Sequence, residues 1–292
     1  MMKILLRILA IIATLSCVAA CGSNANTKHS KSISVTIPPL QGIVKEIVGD
    51  DYEINVILPK GATPENYSPT VAQMAAIEHS EYLFNIGTLS FEQQIINKLK
   101  SAKSSNIQSV ADGIELIEGG CKHGHTHHEH HHSHDPHVWL SMDGLLAIVD
   151  NIARPIINNN PDSTKYMANY EAIRQKLIVN KQRYTELLDT APRHFLIYHP
   201  ALGYLAQEFG LEQIALENDG KAPTPAGVIN IVKKGNAEGL KYMLYQAEYP
   251  LDVVKPIAEV LGVKPVLINP LSNDIICELD RIINILAGNY EE

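Results

Sequence analysis

The first feature that could do chemistry is a dense run of histidines. The chain contains 13 histidines, and nine of them lie between positions 123 and 137. Imidazoles at such short spacing bind zinc, nickel or copper with little geometric selectivity, and they lose the metal as they protonate near pH 6. The run lacks an apolar period, which predicts a metal-collecting or metal-sensing loop over 121–134; an inert low-complexity run is the alternative. The auxiliary ligands of this loop would be His123, His125, His127, His128, His130, His131, His132 and His134.

A second set of polar residues follows short apolar runs in the chain. Ligands of α/β proteins bind beyond the carboxyl ends of the strands, so residues directly after predicted strands are candidates. Imidazole and carboxylate suit zinc, manganese or iron. A lone histidine after a strand is more often an ordinary polar residue, so the prediction depends on several positions converging on one ion. Three of these positions, Glu65, His199 and Asn269, follow predicted strands, and the fourth, His137, lies in the segment 135–140 before a long predicted helix.

Strand-like and helix-like segments alternate along both halves of the chain, which predicts parallel sheets covered by helices in two Rossmann-like α/β lobes. The first half has predicted strands at 32–37, 52–58, 82–86 and 107–110, and helices at 40–48, 71–79 and 91–100. The second half has predicted strands at 195–198, 213–216, 242–245 and 266–268, and helices at 201–209, 225–236, 251–261 and 274–286.

A long uninterrupted segment separates the two halves. From Asp162, a plausible N-cap, to about Leu188, the sequence has no Gly or Pro, and its apolar residues recur at helical spacing. A helix of about 25 residues would be about 38 Å long, which suits a rigid strut between lobes. The predicted organisation is an N-terminal lobe over 33–160, a linking helix over 161–190 and a C-terminal lobe over 191–292; one domain with one long helix is the alternative.

The N-terminus has the features of an export signal. Lys3 and Arg7 precede an apolar stretch that is too short to span a bilayer as a mature helix. The residues before Cys21 are small and resemble a bacterial lipobox, which predicts a signal peptide over 1–20, lipidation of Cys21 and a polar tether over 21–32. An ordinary signal peptide is the alternative. Cys121 and Cys277 could pair in an oxidising compartment, although two unpaired thiols are equally compatible with their spacing.

The charge of the chain argues against a nucleic-acid partner. The formal net charge is -8 and the isoelectric point is about 5.9, so no basic face is indicated for phosphates. Apolar residues make up 45% of the chain and charged residues 19%, as is usual for a globular protein. The composition therefore argues against global disorder.

Two motifs make the chain resemble a known family. A Gly-Ala-x-Pro-x-x-Tyr loop lies at 61–67, and an Asp-Pro-His-x-Trp-Leu segment lies at 135–140, directly after the histidine-rich tract. Over about residues 33–288 the chain resembles the metal-binding substrate receptors of ABC importers, above all those for zinc. The resemblance implies a cluster A-I-type periplasmic binding protein. It would be extracytoplasmic, monomeric and lipid-anchored, would not be an enzyme, and would pass zinc, or manganese or iron, to a permease and its ATPase.

The resemblance also implies a ligand set, with two departures. The second and third ligands of the family fall on His137 and His199, while Glu65 replaces the usual first histidine and Asn269 the usual last aspartate. Two histidines and a carboxylate still bind zinc well. The fourth ligand would be the weak carbonyl oxygen of Asn269, a water, or one of three nearby acids, Glu217, Asp219 and Glu248.

Two other function classes stay open at this point. Three ligands plus a water are also the pattern of a catalytic zinc, although none of the predicted helices carries a His-Glu-x-x-His motif. A metallohydrolase is therefore disfavoured. A histidine-rich surface lipoprotein, acting as an adhesin or a zinc buffer without an importer, would share every feature described above.

Overall fold

Two four-stranded parallel sheets form the framework of the chain, which confirms the predicted two-lobe α/β fold. The computed structural model describes residues 31–64, 66–101, 107–118, 134–161, 163–217 and 239–290, together with positions 227, 229 and 231. The strand orders, β2-β1-β3-β4 and β6-β5-β7-β8, place the strands of both sheets in the same relative positions. The strands are β1 (Ser32–Val35), β2 (Glu53–Val56), β3 (Tyr82–Asn85), β4 (Ile107–Ser109), β5 (His194–Ile197), β6 (Glu212–Ala215), β7 (Tyr242–Gln246) and β8 (Lys264–Ile268).

Helices connect the strands, as parallel pairing requires. In the described residues they are α1 (Pro38–Val48), α2 (Val71–His79), α3 (Ser90–Ser101), α4 (Met142–Asn158), α5 (Ser163–Leu188), α6 (Gly203–Glu208), α7 (Leu251–Leu261) and α8 (Ile275–Leu286). Positions 227, 229 and 231 are helical too, and the rest of the helix predicted at 225–236 lies outside the described residues. None of the described helices has both the length and the apolar composition needed to cross a bilayer.

Helix α5 is the predicted long strut. Its 26 residues extend about 39 Å at 1.5 Å per residue. Its buried residues recur every seven and four positions, so they form one stripe along the helix: Tyr166, Ile173, Leu177, Tyr184 and Leu188. The helix packs along α4 and also contacts α1 and α8, which come from opposite halves of the chain. One continuous hydrophobic core therefore includes residues of both sheets and of the strut.

Three elements differ from the sequence-based expectation because of proline and glycine. Helix α1 begins at Pro38, since prolines are tolerated in a first helical turn, where the missing N–H would have no partner. Strand β8 includes Pro265, which an edge strand accommodates. Helix α4 adds to the predicted elements; its Gly144 and Pro155 both lower intrinsic helix propensity, yet eight of its residues are buried.

A glycine lets the first half of the chain touch the second. A Cβ added to Gly42 of α1 would lie 1.7 Å from the carbonyl oxygen of Asn273, in the loop between β8 and α8. Only a residue without a side chain permits this approach of two backbones. The contact joins the lobes directly, in addition to the strut.

Candidate metal site

Residues that follow strands of both sheets line one small cavity. Its volume is about 30 Å³, which is enough for a metal ion or a water molecule. The lining residues are Thr63, Pro64, His137, Trp139, His199, Ala201, Gln246, Glu248, Tyr249, Pro270 and Leu271. Both candidate histidines are among them, and they come from different halves of the chain.

His137 is held by a carboxylate in its own loop. Asp135 Oδ1 accepts the backbone N–H of His137 at 2.9 Å and lies 2.8 Å from its Nδ1. The carboxylate favours the tautomer with a proton on Nδ1, which leaves the lone pair of Nε2 for a metal ion. His137 is 8% exposed, and its ring centroid lies 5.3 Å from that of Trp139. The Nε1 of Trp139 donates to the carbonyl oxygen of Pro270 at 2.8 Å.

His199 is held in the same manner by a carboxylate that is distant in sequence. Its Nδ1 lies 3.0 Å from Oε2 of the buried Glu217, and the hydroxyl of Tyr249 donates to the same oxygen at 2.8 Å. Gln246 at the end of β7 fixes the backbone: it accepts from His199 N at 3.3 Å and donates to His199 O at 2.6 Å. Glu217 therefore orients His199 in this structure.

The two imidazoles contact each other. Their ring centroids are 5.3 Å apart and their planes are inclined by 73°. Each ring is bound through Nδ1 by a carboxylate, which is the arrangement that orients histidine ligands in zinc sites and raises their basicity. Burial and the charge of Glu217 raise the pKa of the neighbouring Tyr198, so this phenol stays protonated and uncharged beside the pair.

The oxygen ligands are less fully described. Glu65 and Asp219 lie outside the described residues, although Thr63 and Pro64 place the chain just before Glu65 at the cavity. Asn269 is exposed, its backbone N–H donates to Glu278 Oε1 at 2.7 Å, and the following two residues line the cavity. Within the described ranges, no group of three His, Cys, Asp or Glu side chains is close enough to hold an ion.

The ends of the histidine-rich tract emerge beside His137. Residues 119–133, including Cys121, lie outside the described residues, as do residues 1–30 with Cys21. The flanking residues Glu118 and His134 form an isolated antiparallel bridge, and Asp135 N donates to Ile117 O at 2.9 Å. We call these paired residues, Ile117, Glu118, His134 and Asp135, the neck. Cys277, near the start of α8, is exposed and has no disulfide partner among the described residues.

Several residues at the site were not predicted to take part in it. Asp135 was recognised only as part of a motif, and Gln246 and Tyr249 were not recognised. The roles of Gln246 and Tyr249 depend on contacts between segments far apart in sequence, and only the position of Gln246 directly after a predicted strand could have indicated its role.

Comparisons with known proteins agree with this architecture. The family model described as "ZnuA: Zinc-uptake complex component A periplasmic" matches residues 33–289. The zinc-binding protein AdcA of Streptococcus pyogenes serotype M3 is 25% identical over 258 residues, which cover 82% of this chain and 50% of AdcA. The chain thus spans about half the length of that relative.

Two further comparisons cover more of the matched protein. The high-affinity zinc uptake system protein ZnuA of Bacillus subtilis is 28% identical over 274 residues, covering 87% of this chain and 84% of that protein. A crystal structure of ZnuA superposes with a TM-score of 0.78 at 28% identity, covering 90% of this chain and 100% of the other. With a family model that matches nearly all of the described fold, the chain belongs to the ZnuA family of periplasmic zinc-uptake components.

Proposed function

We propose that this chain is an extracytoplasmic zinc receptor, anchored by a lipid on Cys21, that delivers its ion to the permease and ATPase of an ABC importer. The observation that carries the proposal is the contacting pair His137 and His199, each backed by a carboxylate. Glu65 would complete a two-histidine, one-carboxylate set, with Asn269, Glu248 or a water as the fourth ligand. The ZnuA and AdcA relatives, which are named for zinc, support the same ion.

The donor set favours zinc over manganese. Imidazole nitrogen suits zinc, whereas manganese prefers carboxylate, carbonyl and water oxygens, and the general order of affinities also places zinc above manganese. A site with two nitrogen donors in a cavity of about 30 Å³ therefore selects by ligand type. A receptor role, and not hydrolysis, agrees with the zinc-uptake family to which the chain belongs.

Ion identity can be measured on untagged protein. Elemental analysis and native mass spectrometry identify the bound ion and its stoichiometry. Titrations in the presence of a chelator of known affinity then compare the affinity for zinc with the affinities for manganese and iron(II). We expect one tight zinc ion per chain, displaced by neither competitor at equal concentration. A preference for manganese, or the lack of any tight site, would overturn the proposal.

Delivery can be measured in cells. Deleting the gene for this chain in its native host should reduce zinc accumulation and growth in medium with a zinc chelator. Expression of the wild-type chain should restore both. His199→Ala is the matched control, because it removes one imidazole of the site and leaves residues 1–20 unchanged. Restoration by this variant would contradict a role for the site in uptake.

Deleting the histidine-rich tract is expected to reduce the zinc stoichiometry to one while leaving the tight site intact. Residues 119–133 can be replaced by a two-residue turn, because the neck already brings Glu118 and His134 together as partners in an antiparallel bridge. Calorimetry should then show loss of the weaker, pH-sensitive binding alone. Loss of the tight site would show instead that the tract supplies its ligands.

A further inference from the structure

The hydroxyl of Tyr204 joins the two sides of the neck. It accepts the backbone N–H of Ile117 at 3.1 Å and donates to the carbonyl oxygen of Asp135 at 2.8 Å. The residue is 7% exposed and belongs to α6, in the second half of the chain. Burial raises the pKa of the Tyr204 phenol, so the hydroxyl keeps the proton that it donates.

The residue before Tyr204 closes one side of the Asp135 carboxylate. A Cβ on Gly203 would lie 2.7 Å from Asp135 Oδ2, so the α6 backbone packs directly against that oxygen. The other oxygen, Oδ1, faces His137. Helix α6 thus contacts both the carbonyl group and the side chain of the residue that orients His137.

Helix α6 is itself fixed at both ends. Leu202 N donates to Gln213 Oε1 at 3.1 Å at its start, and Met142 N donates to Glu208 Oε2 at 2.8 Å at its end. The helix is therefore a fixed support for the segment that carries His137.

We infer that Tyr204 is a positioning residue for the metal ligand His137, and that its hydroxyl, together with Gly203, holds Asp135 so that both histidines are set by the C-terminal lobe before zinc binds. The inference rests on the proposed function. His199 follows β5 of that lobe, so the nitrogen ligands form a preassembled pair, and Thr63 and Pro64, which follow β2 of the first sheet, line the same cavity.

Removing the hydroxyl tests the inference. Tyr204→Phe leaves Ile117 N and Asp135 O without this partner, and we expect zinc affinity to fall about 10-fold, the lower range for residues that support a ligand from outside the coordination shell. Tyr82→Phe is the matched control, because Tyr82 is 5% exposed, donates to Pro155 O at 3.2 Å and accepts from Asn159 Nδ2 at 3.1 Å. Both variants lose one donated and one accepted bond, and only the first should change zinc affinity.

A double-mutant cycle separates positioning from general stability. In a His137→Ala background, Tyr204→Phe should cause no further loss of zinc affinity, and in the wild-type background it should change the visible absorption of the cobalt(II) form. Equal zinc affinity of Tyr204→Phe and Tyr82→Phe, or an unchanged loss in the His137→Ala background, would overturn the inference. If Tyr204→Phe does not fold, Gly203→Ala replaces it in the same double-mutant cycle, because its methyl group would meet Asp135 Oδ2. The same loss of zinc affinity is then expected, again only when His137 is present. Wild-type affinity in His137→Ala itself would instead refute the proposed site.

Discussion

Alanine at either His137 or His199 is expected to weaken zinc binding by well over the roughly 10- to 100-fold that loss of an outer-shell partner causes. Each substitution removes a nitrogen ligand and leaves its carboxylate partner, Asp135 or Glu217, without the imidazole it contacts. The measurement is competition titration of metal-free protein with zinc and a strong chelator, using variants that also lack residues 119–133, so that the tract contributes nothing.

The control for this prediction is His79→Ala. His79 is an exposed histidine at the end of α2, where its Nδ1 contacts the carbonyl oxygen of Ala75 at 2.8 Å. Its removal should leave zinc affinity unchanged. If both site variants bound zinc as the wild type does, the tight site would have to lie elsewhere in the chain.

Gly42→Ala is expected to lower the free energy of unfolding by about 3 kcal/mol, the upper end of the usual range for overpacking. The new methyl group would meet the carbonyl oxygen of Asn273 at 1.7 Å, and a backbone atom cannot turn aside as a side chain can. Ordinarily alanine stabilises a helix by about 1 kcal/mol relative to glycine. A decrease in the free energy of unfolding would therefore indicate the backbone clash, because helix propensity alone predicts an increase.

Denaturant unfolding of the metal-free protein measures this effect. Glu46→Ala, at an exposed position of the same helix, should stay within about 0.5 kcal/mol of the wild type. An unchanged or increased stability of Gly42→Ala would mean that the two halves do not meet at this point.

The alternation of short strands and helices predicted the fold well, because parallel sheets need apolar strands and amphipathic crossovers that are visible in one sequence. The breaks in the pattern were harder to interpret. Pro38 and Pro39 were left outside the predicted helix at 40–48, yet they lie within α1, whose first turn needs no N–H donors. Helix α4 was not predicted, since its Gly144 and Pro155 have low helix propensity and only tertiary burial compensates.

At the candidate site, too, some residues could be predicted from the sequence and others could not. A histidine after a strand and a histidine in an Asp-Pro-His segment are recognisable as ligand types, and the structure brings His137 and His199 into contact. The residues that orient them are not recognisable, because Glu217 is equally plausible as a ligand and Tyr204 has no local signature. Hydrogen bonds between segments far apart in the chain decide these roles, and one sequence without its fold does not contain them.

The stripe of buried residues along α5 has a consequence for the timing of release. A spine packed against helices from both halves leaves little room for a wide swing of one lobe against the other. If the ion is held with a Kd of about 1 nM and associates at about 10⁷ M⁻¹ s⁻¹, it leaves unaided with a half-time on the order of a minute. Such a residence time is longer than a typical enzymatic turnover. Under the proposed function, an importer would therefore have to displace the ligand loops itself, and the occupied receptor would set the time of release as well as carry the ion.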